Sequence, residues 1–138
     1  MLQNMMVKPQ AAQQRFTFNT PEVDELFPGF TIGEFAVIYG SPSLTSLTAL
    51  LCVRAQLPTQ LGGLSSNVIY IDCANTFSTQ QISRFAQSNH MNPTIVRQRI
   101  LNFSAFTAHQ LTSLIIEKIE EKIAATNTKL VVISDIAA

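Results

Sequence analysis

With 138 residues the chain is long enough for one domain and one buried core. A composition 46% hydrophobic but only 13% charged leaves a surface of neutral Gln, Asn, Ser and Thr, or apolar surface turned to a partner. A formal net charge of +0 argues against strong unaided nucleic-acid binding, which draws on many Lys and Arg contacts to phosphate, without bearing on contacts made inside an assembly. Two cysteines, Cys52 and Cys73, make no disulfide framework, and no Cys/His spacing suggests zinc; both read as buried thiols of a reducing compartment.

Residues 1–14 are Gln-rich, contain Pro9 and show no period, so a flexible lead-in is expected, followed by one core over residues 15–138. The N-terminus has no apolar run suited to a signal peptide, and no stretch is long enough to span a membrane. Thr20-Pro21 opens a short helix that Pro28-Gly29 stops. Phe35–Tyr39 is an apolar run that predicts a strand, and a helix is expected from about Leu44 to Leu57, ended by Pro58. Leu44, Leu47, Leu50, Leu51 and Leu57 supply its apolar face. Gly62-Gly63 marks a loop, and Asn67–Asp72 a buried strand. Ser78 or Thr79 caps a helix to about Ser88, Pro93 opens a short turn, and Ile100–Phe103 is a third strand. Ala108–Ala125 is the longest helix, its Glu117–Lys122 tract a solvated face. Lys129–Ile133 is the fourth strand. Alternation of this kind predicts a three-layer α/β fold with a parallel sheet. Since such folds usually continue past this strand's carboxyl end, truncation after it is also expected.

Strand, Gly40 and helix together are the setting of a phosphate-binding loop, normally G-x-x-x-x-G-K-[ST]. Gly40 is the only glycine here, and no lysine lies between Lys8 and Lys118. Ser41, Ser43 and Thr45 offer hydroxyls but no cation, and Pro42 has no N–H to donate. Asp72 at a strand's end is a ligand candidate, but its residue type more often closes a turn by accepting backbone N–H groups. His109, at a helix start, reads as a surface or capping histidine. Lys8, Arg15, Arg97 and Arg99 are too scattered for a basic patch.

Gln56-Leu57-Pro58, Gly62-Gly63-Leu64 and the run Val68-Ile-Tyr-Ile-Asp-Cys-Ala-Asn-Thr-Phe77 resemble the RecA/RadA recombinase family. The branch they resemble is that of archaeal RadA and the eukaryotic strand-exchange proteins, where a Q-L-P-x-x-x-G-G-L loop leads into I-D-T-E-N-T-F. Asp24-Glu-Leu26, Phe106-Thr-Ala-His-Gln110 and the Lys129–Ile133 strand are similar to further family segments in the same order, so the likeness runs from about Phe16 to the end. The resemblance implies a RecA-like P-loop core. It also places Phe16 and Phe18 in that core's first segment. Recombinase subunits dock through a phenylalanine upstream of this domain, and residues 1–14 contain none.

Three positions that serve ATP hydrolysis in that family differ here. Aligned through Gln56-Leu57-Pro58, Thr45 matches the magnesium-binding Thr, Leu44 the lysine and Ser43 the last glycine; aligned through Gly40, Ser46 takes the lysine's place and Leu47 the threonine's. Ala74 stands where the family has its catalytic glutamate. Ser134 takes the place of the Walker B aspartate, and Asp135 comes one residue late, which in a strand turns a side chain to the opposite face.

The expected function is that of a catalytically inactive paralogue, a pseudo-ATPase serving as an interaction or regulatory subunit in DNA recombination and repair. The alternative is a divergent ATP-dependent recombinase with an unusual P-loop. For the first, Gly40, Ser43, Thr45 and Asp135 are a vestigial nucleotide site; no catalytic residue, metal or cofactor is expected beyond weak ATP/Mg binding. Expected partners are a RadA-type recombinase or another paralogue, with self-association, DNA contacted only within an assembly, and a cytoplasmic, nucleoid-associated or nuclear setting.

Overall fold

The computed structural model describes residues 15–38 and 43–134, which belong to two compact units, residues 1–38 and 39–138. In the first unit, α1 spans Pro21–Leu26. Proline at its first position has the right φ and no N–H to orphan; the Thr20 carbonyl accepts from the N–H groups of Val23 and Asp24 at 3.0 and 2.8 Å. Phe16 and Phe30 form an isolated antiparallel bridge, and the rings of Phe18, Phe27 and Phe30 cluster with centroids 4.9–6.3 Å apart. Phe16 and Phe18 are buried, as core residues should be. Gly29 has φ +106°, and a Cβ there would lie 2.7 Å from the Phe16 carbonyl oxygen, so glycine is required twice over.

The strand expected over Phe35–Tyr39 does not form in the described part of that run. Residues 35–38 carry no regular structure, and Phe35 and Val37 are 85% and 73% exposed. An apolar run marks surface that needs cover, but a strand also needs a hydrogen-bonded neighbour, which local composition does not specify. Tyr39 lies outside the described residues.

In the second unit, α2 spans Leu44–Arg54, and the chain turns through Ala55–Leu57 into a single 3₁₀ turn at Thr59–Leu61. The apolar face expected of α2 is only part of its burial. Ala49, Leu51, Cys52, Val53 and Arg54 are all buried, so its last turns are covered on every side. The following loop doubles back on the helix end. Leu64 and Ser66 donate to the Ala55 carbonyl, and Gly63 donates to Pro58 at 3.0 Å. A Cβ on Gly63 would lie 2.1 Å from the Leu57 carbonyl oxygen. Gly63→Ala therefore forces backbone to move, and is expected to cost about 1–3 kcal/mol, read as a lower urea midpoint at unchanged slope.

The sheet follows: β1 Asn67–Asp72, β2 Ile100–Ser104 and β3 Thr128–Ser134, all parallel, in the order β2-β1-β3. Central β1 is buried on both faces from Val68 to Asp72, which is why it reads as an unbroken apolar run. Between the strands lie α3 Thr79–Ser88 and α4 Pro93–Gln98, then α5 Ala108–Leu114 and α6 Glu120–Ala125, the last two joined by a π-helical stretch, Ile115–Ile119. The turn expected at Pro93 is thus a helix, capped by Asn92, whose side chain accepts from Thr94 and Ile95. Ile69 and Ile71 form one core with Ala105 and Ile119, flanked by Leu111, Leu114, Val131 and Ile133. Tyr70, on alternate pleats, packs edge-on against Phe77 at 5.0 Å.

The two thiols differ. Cys52 is fully buried and its thiol is pushed up to about 12 by desolvation, whereas Cys73, just past β1, is only half-buried against the core. The expectation of two buried thiols thus holds for Cys52 alone. Under native conditions a disulfide reagent at pH 8 is expected to label one equivalent, at Cys73, and the second only on unfolding; fast labelling of both would contradict this packing.

Candidate nucleotide-binding site

At the carboxyl end of the sheet, β1 finishes at Asp72 and β3 at Ser134, which are register partners. The chain leaves β1 through Cys73-Ala74-Asn75-Thr76-Phe77, with Asn75 at φ +58°. Such a turn exposes successive backbone N–H groups, and the Asp72 carboxylate collects them. Oδ1 accepts from the N–H of Thr76 at 2.9 Å and of Ala74 at 3.3 Å; Oδ2 accepts from Phe77 at 3.0 Å. The hydroxyls of Thr76 and Ser134 lie 3.4 Å from Oδ1 and from each other. Burial favours the neutral carboxyl. Donation from Thr76, Phe77, Ala74 and Ser134 outweighs it and holds Asp72 below its usual 3.8. Asp72 is therefore an ionised turn-closing residue whose two oxygens are already engaged.

Ala74 lies inside this turn. Its N–H serves Asp72, and its methyl group can neither orient nor deprotonate water. Ser134 is the last residue of β3, beside Asp72 and bonded to it, so a neutral hydroxyl occupies this place at the end of the strand.

Ser43 directly precedes α2, and Thr45 and Ser46 lie in its first turn. The Ser43 carbonyl accepts from Leu47 at 3.2 Å. Ser46, one of the two candidates for the lysine's position, receives the side-chain Nε2 of Gln81 at 2.8 Å, which ties α2 to α3. The vestigial set is only partly in view: Ser43 and Thr45 sit at the start of α2, while Gly40 and Asp135 lie outside the described residues. Among the described residues no group of three or more His, Cys, Asp or Glu is placed to hold a metal ion.

Sequence reasoning missed Thr76 and Gln81. Thr76 was findable from Asp72 and Asn75, since an aspartate followed by an asparagine able to take positive φ is a turn pattern. Ser78-Thr79-Gln80-Gln81 has the capping-box spacing, and the Ser78 hydroxyl does accept from the Gln81 N–H at 3.2 Å. The Gln81 side chain then leaves the box for Ser46, a contact 35 residues away in sequence. His109 is exposed at the start of α5, and the helix is capped instead by Thr107. Arg97 bonds Ser83 at 2.8 Å.

The family model for Rad51 matches residues 14–138. The chain belongs to the Rad51 family. Its α/β core with parallel strands is accordingly of the RecA type. The DNA repair and recombination protein RadA of Metallosphaera sedula is 33% identical over 135 residues, covering 94% of this chain and 41% of that protein. The RadA of Aeropyrum pernix is 29% identical over 129 residues, covering 91% and 40%, and that of Cenarchaeum symbiosum 30% over 114 residues, covering 82% and 26%. The chain thus spans about two-fifths or less of these relatives' length. Among the described residues no helix is long and apolar enough to cross a membrane.

Proposed function

We propose that this member of the Rad51 family is a pseudo-ATPase that acts as an interaction or regulatory subunit in DNA recombination and repair. One observation carries the reading most: at the sheet's carboxyl end the groups that would handle a nucleotide are engaged or missing. Asp72 is consumed by its turn, its neighbour Ser134 carries no charge, and Ala74 has no base. The absence of a lysine between Lys8 and Lys118 agrees with this. The partner proposed is a RadA-type recombinase or another paralogue, met in the cytoplasm at the nucleoid or in a nucleus, with DNA reached through that partner. The exposed Phe35 and Val37 and the low charge support a surface that is covered in an assembly, by that partner or by a second copy.

The experiment combines two measurements on the purified chain. In the first, melting is followed with and without 1 mM ATP and magnesium; a shift of less than about one degree is expected, since stabilisation requires ligand well above its dissociation constant. In the second, the chain is mixed with purified RadA-type recombinase and run by size exclusion with light scattering, and a joint peak is expected. A large ATP-dependent shift together with no joint peak would favour the divergent recombinase instead.

A further inference from the structure

At the other end of the strands, about 16 Å away along β1, lies an open cavity of about 440 Å³ lined by Gln56, Pro58, Ser65, Ser66, Asn67, Arg99 and Asn127. It adjoins the amino ends of β1, β2 and β3, whereas folds of this class take nucleotides at the carboxyl ends. Its chemistry is specific in three respects. Gln56 is 5% exposed, and its Nε2 donates to the carbonyls of Val96 and Cys52 at 3.0 and 3.4 Å. Two carbonyl partners fix the amide's orientation, so Oε1 is an obligate acceptor, and it is buried without a partner. Ser66 is 4% exposed, and its hydroxyl is likewise buried and unpartnered. A buried polar atom left unpaired is costly, so two in one wall point to something that fills it. The third feature is Arg99, an exposed residue whose guanidinium has no hydrogen bond or ion pair among the described residues, in a lining that holds no Asp or Glu.

An unpaired acceptor within the wall and a free guanidinium on the same lining call for a ligand with an N–H donor at one end and an anion at the other. Inorganic phosphate satisfies the arginine but has no N–H, and its O–H sits on the charged centre itself instead of at a separate end; an apolar ligand leaves every group unpaired. We propose that this cavity binds the carboxyl terminus of a peptide. The terminal carboxylate pairs with the Arg99 fork, the Ser66 hydroxyl adds a donor, and a backbone N–H reaches Gln56 Oε1.

The test is a titration of the ¹⁵N-labelled chain followed at the Ser66 and Asn67 amides. Three probes are used: N-acetylglycylglycine, its carboxamide, and inorganic phosphate. Saturable shifts are expected with the first, with binding at least about tenfold weaker for the carboxamide and for phosphate. Arg99→Met, which removes an exposed and unbonded group and so leaves the melting temperature unchanged, is expected to abolish the preference for carboxylate over carboxamide. Ser66→Ala should weaken binding about threefold or more. Equal binding of the carboxamide, tighter binding of phosphate, or no saturable shift at all, as when ordered water alone fills the cavity, would each overturn the assignment.

Discussion

Phosphate release from ATP by this chain, with magnesium and single-stranded DNA, is expected to stay at the level of a protein-free control. A triphosphate brings about four negative charges toward the start of α2, where the helix dipole contributes only about 0.3–1 kcal/mol at an exposed site. The remainder ordinarily comes from a lysine, a magnesium ion and a glycine-rich loop. Leu44 and Ser46 carry no charge, Pro42 cannot donate, and the Ser46 hydroxyl is bonded to Gln81. Hydrolysis further needs a base at position 74, where the chain has a methyl group. Loss of one such transition-state group costs on the order of 10²–10³ in rate, and here cation and base are absent together. Ala74→Glu is therefore expected to restore nothing. DNA-stimulated turnover that vanishes in Thr45→Ala would show that the site hydrolyses ATP without a lysine or a glutamate at position 74.

The largest stability effect is expected from Asp72→Ala. That change strips the acceptor from three backbone N–H groups and from the Thr76 and Ser134 hydroxyls. Bonds to a charged acceptor are each worth about 1.5–3 kcal/mol, and donors left buried cost more. With water able to rescue part of the turn, a loss of roughly 3–4 kcal/mol and a melting temperature lower by about 10 °C are expected. Asp72→Asn keeps the size and one acceptor oxygen, and should fall between. The native carboxyl lies below its ordinary 3.8, so its contribution is fully present above that pH and is lost as pH falls through the lower native value. The stability gap between the parent chain and Asp72→Asn should accordingly be constant at neutral pH and close on acidification below pH 3.8. A gap that does not narrow at all on acidification, down to the pH at which the parent chain unfolds, would show that charge is not what the turn uses.

The elements of the chain differ in how much of each is legible in its sequence. The Asp72 turn was legible, because a carboxylate at the end of an apolar strand needs donors and the next five residues can supply them locally. β1 and both its neighbours were legible for the same reason: each is an apolar run between turn residues, and each needs burial on both faces or one. Phe35–Ile38 has the same local pattern and no strand, because pairing depends on a neighbour far away in the chain. The Ile115–Ile119 π-helical stretch was also hidden. Leu111, Ile115 and Ile119 keep a four-residue spacing through it, so hydrophobic period alone does not register a widened turn. Gln81 was hidden differently: its backbone obeys the local capping rule while its side chain answers to Ser46.

The strand order β2-β1-β3 has a consequence on the ribosome. Asp72 and its partner Ser134 are 62 residues apart, and the helices α3 to α6 must be made between them. At about 5–20 residues per second, β1 waits roughly 3–12 s after its synthesis for the second edge of its ladder to exist. During that interval Val68-Ile-Tyr-Ile71, the run buried on both faces in the finished sheet, is held by β2 alone or by nothing. Nascent chains stalled between residues 104 and 128 should therefore be the species that holdase chaperones capture most strongly.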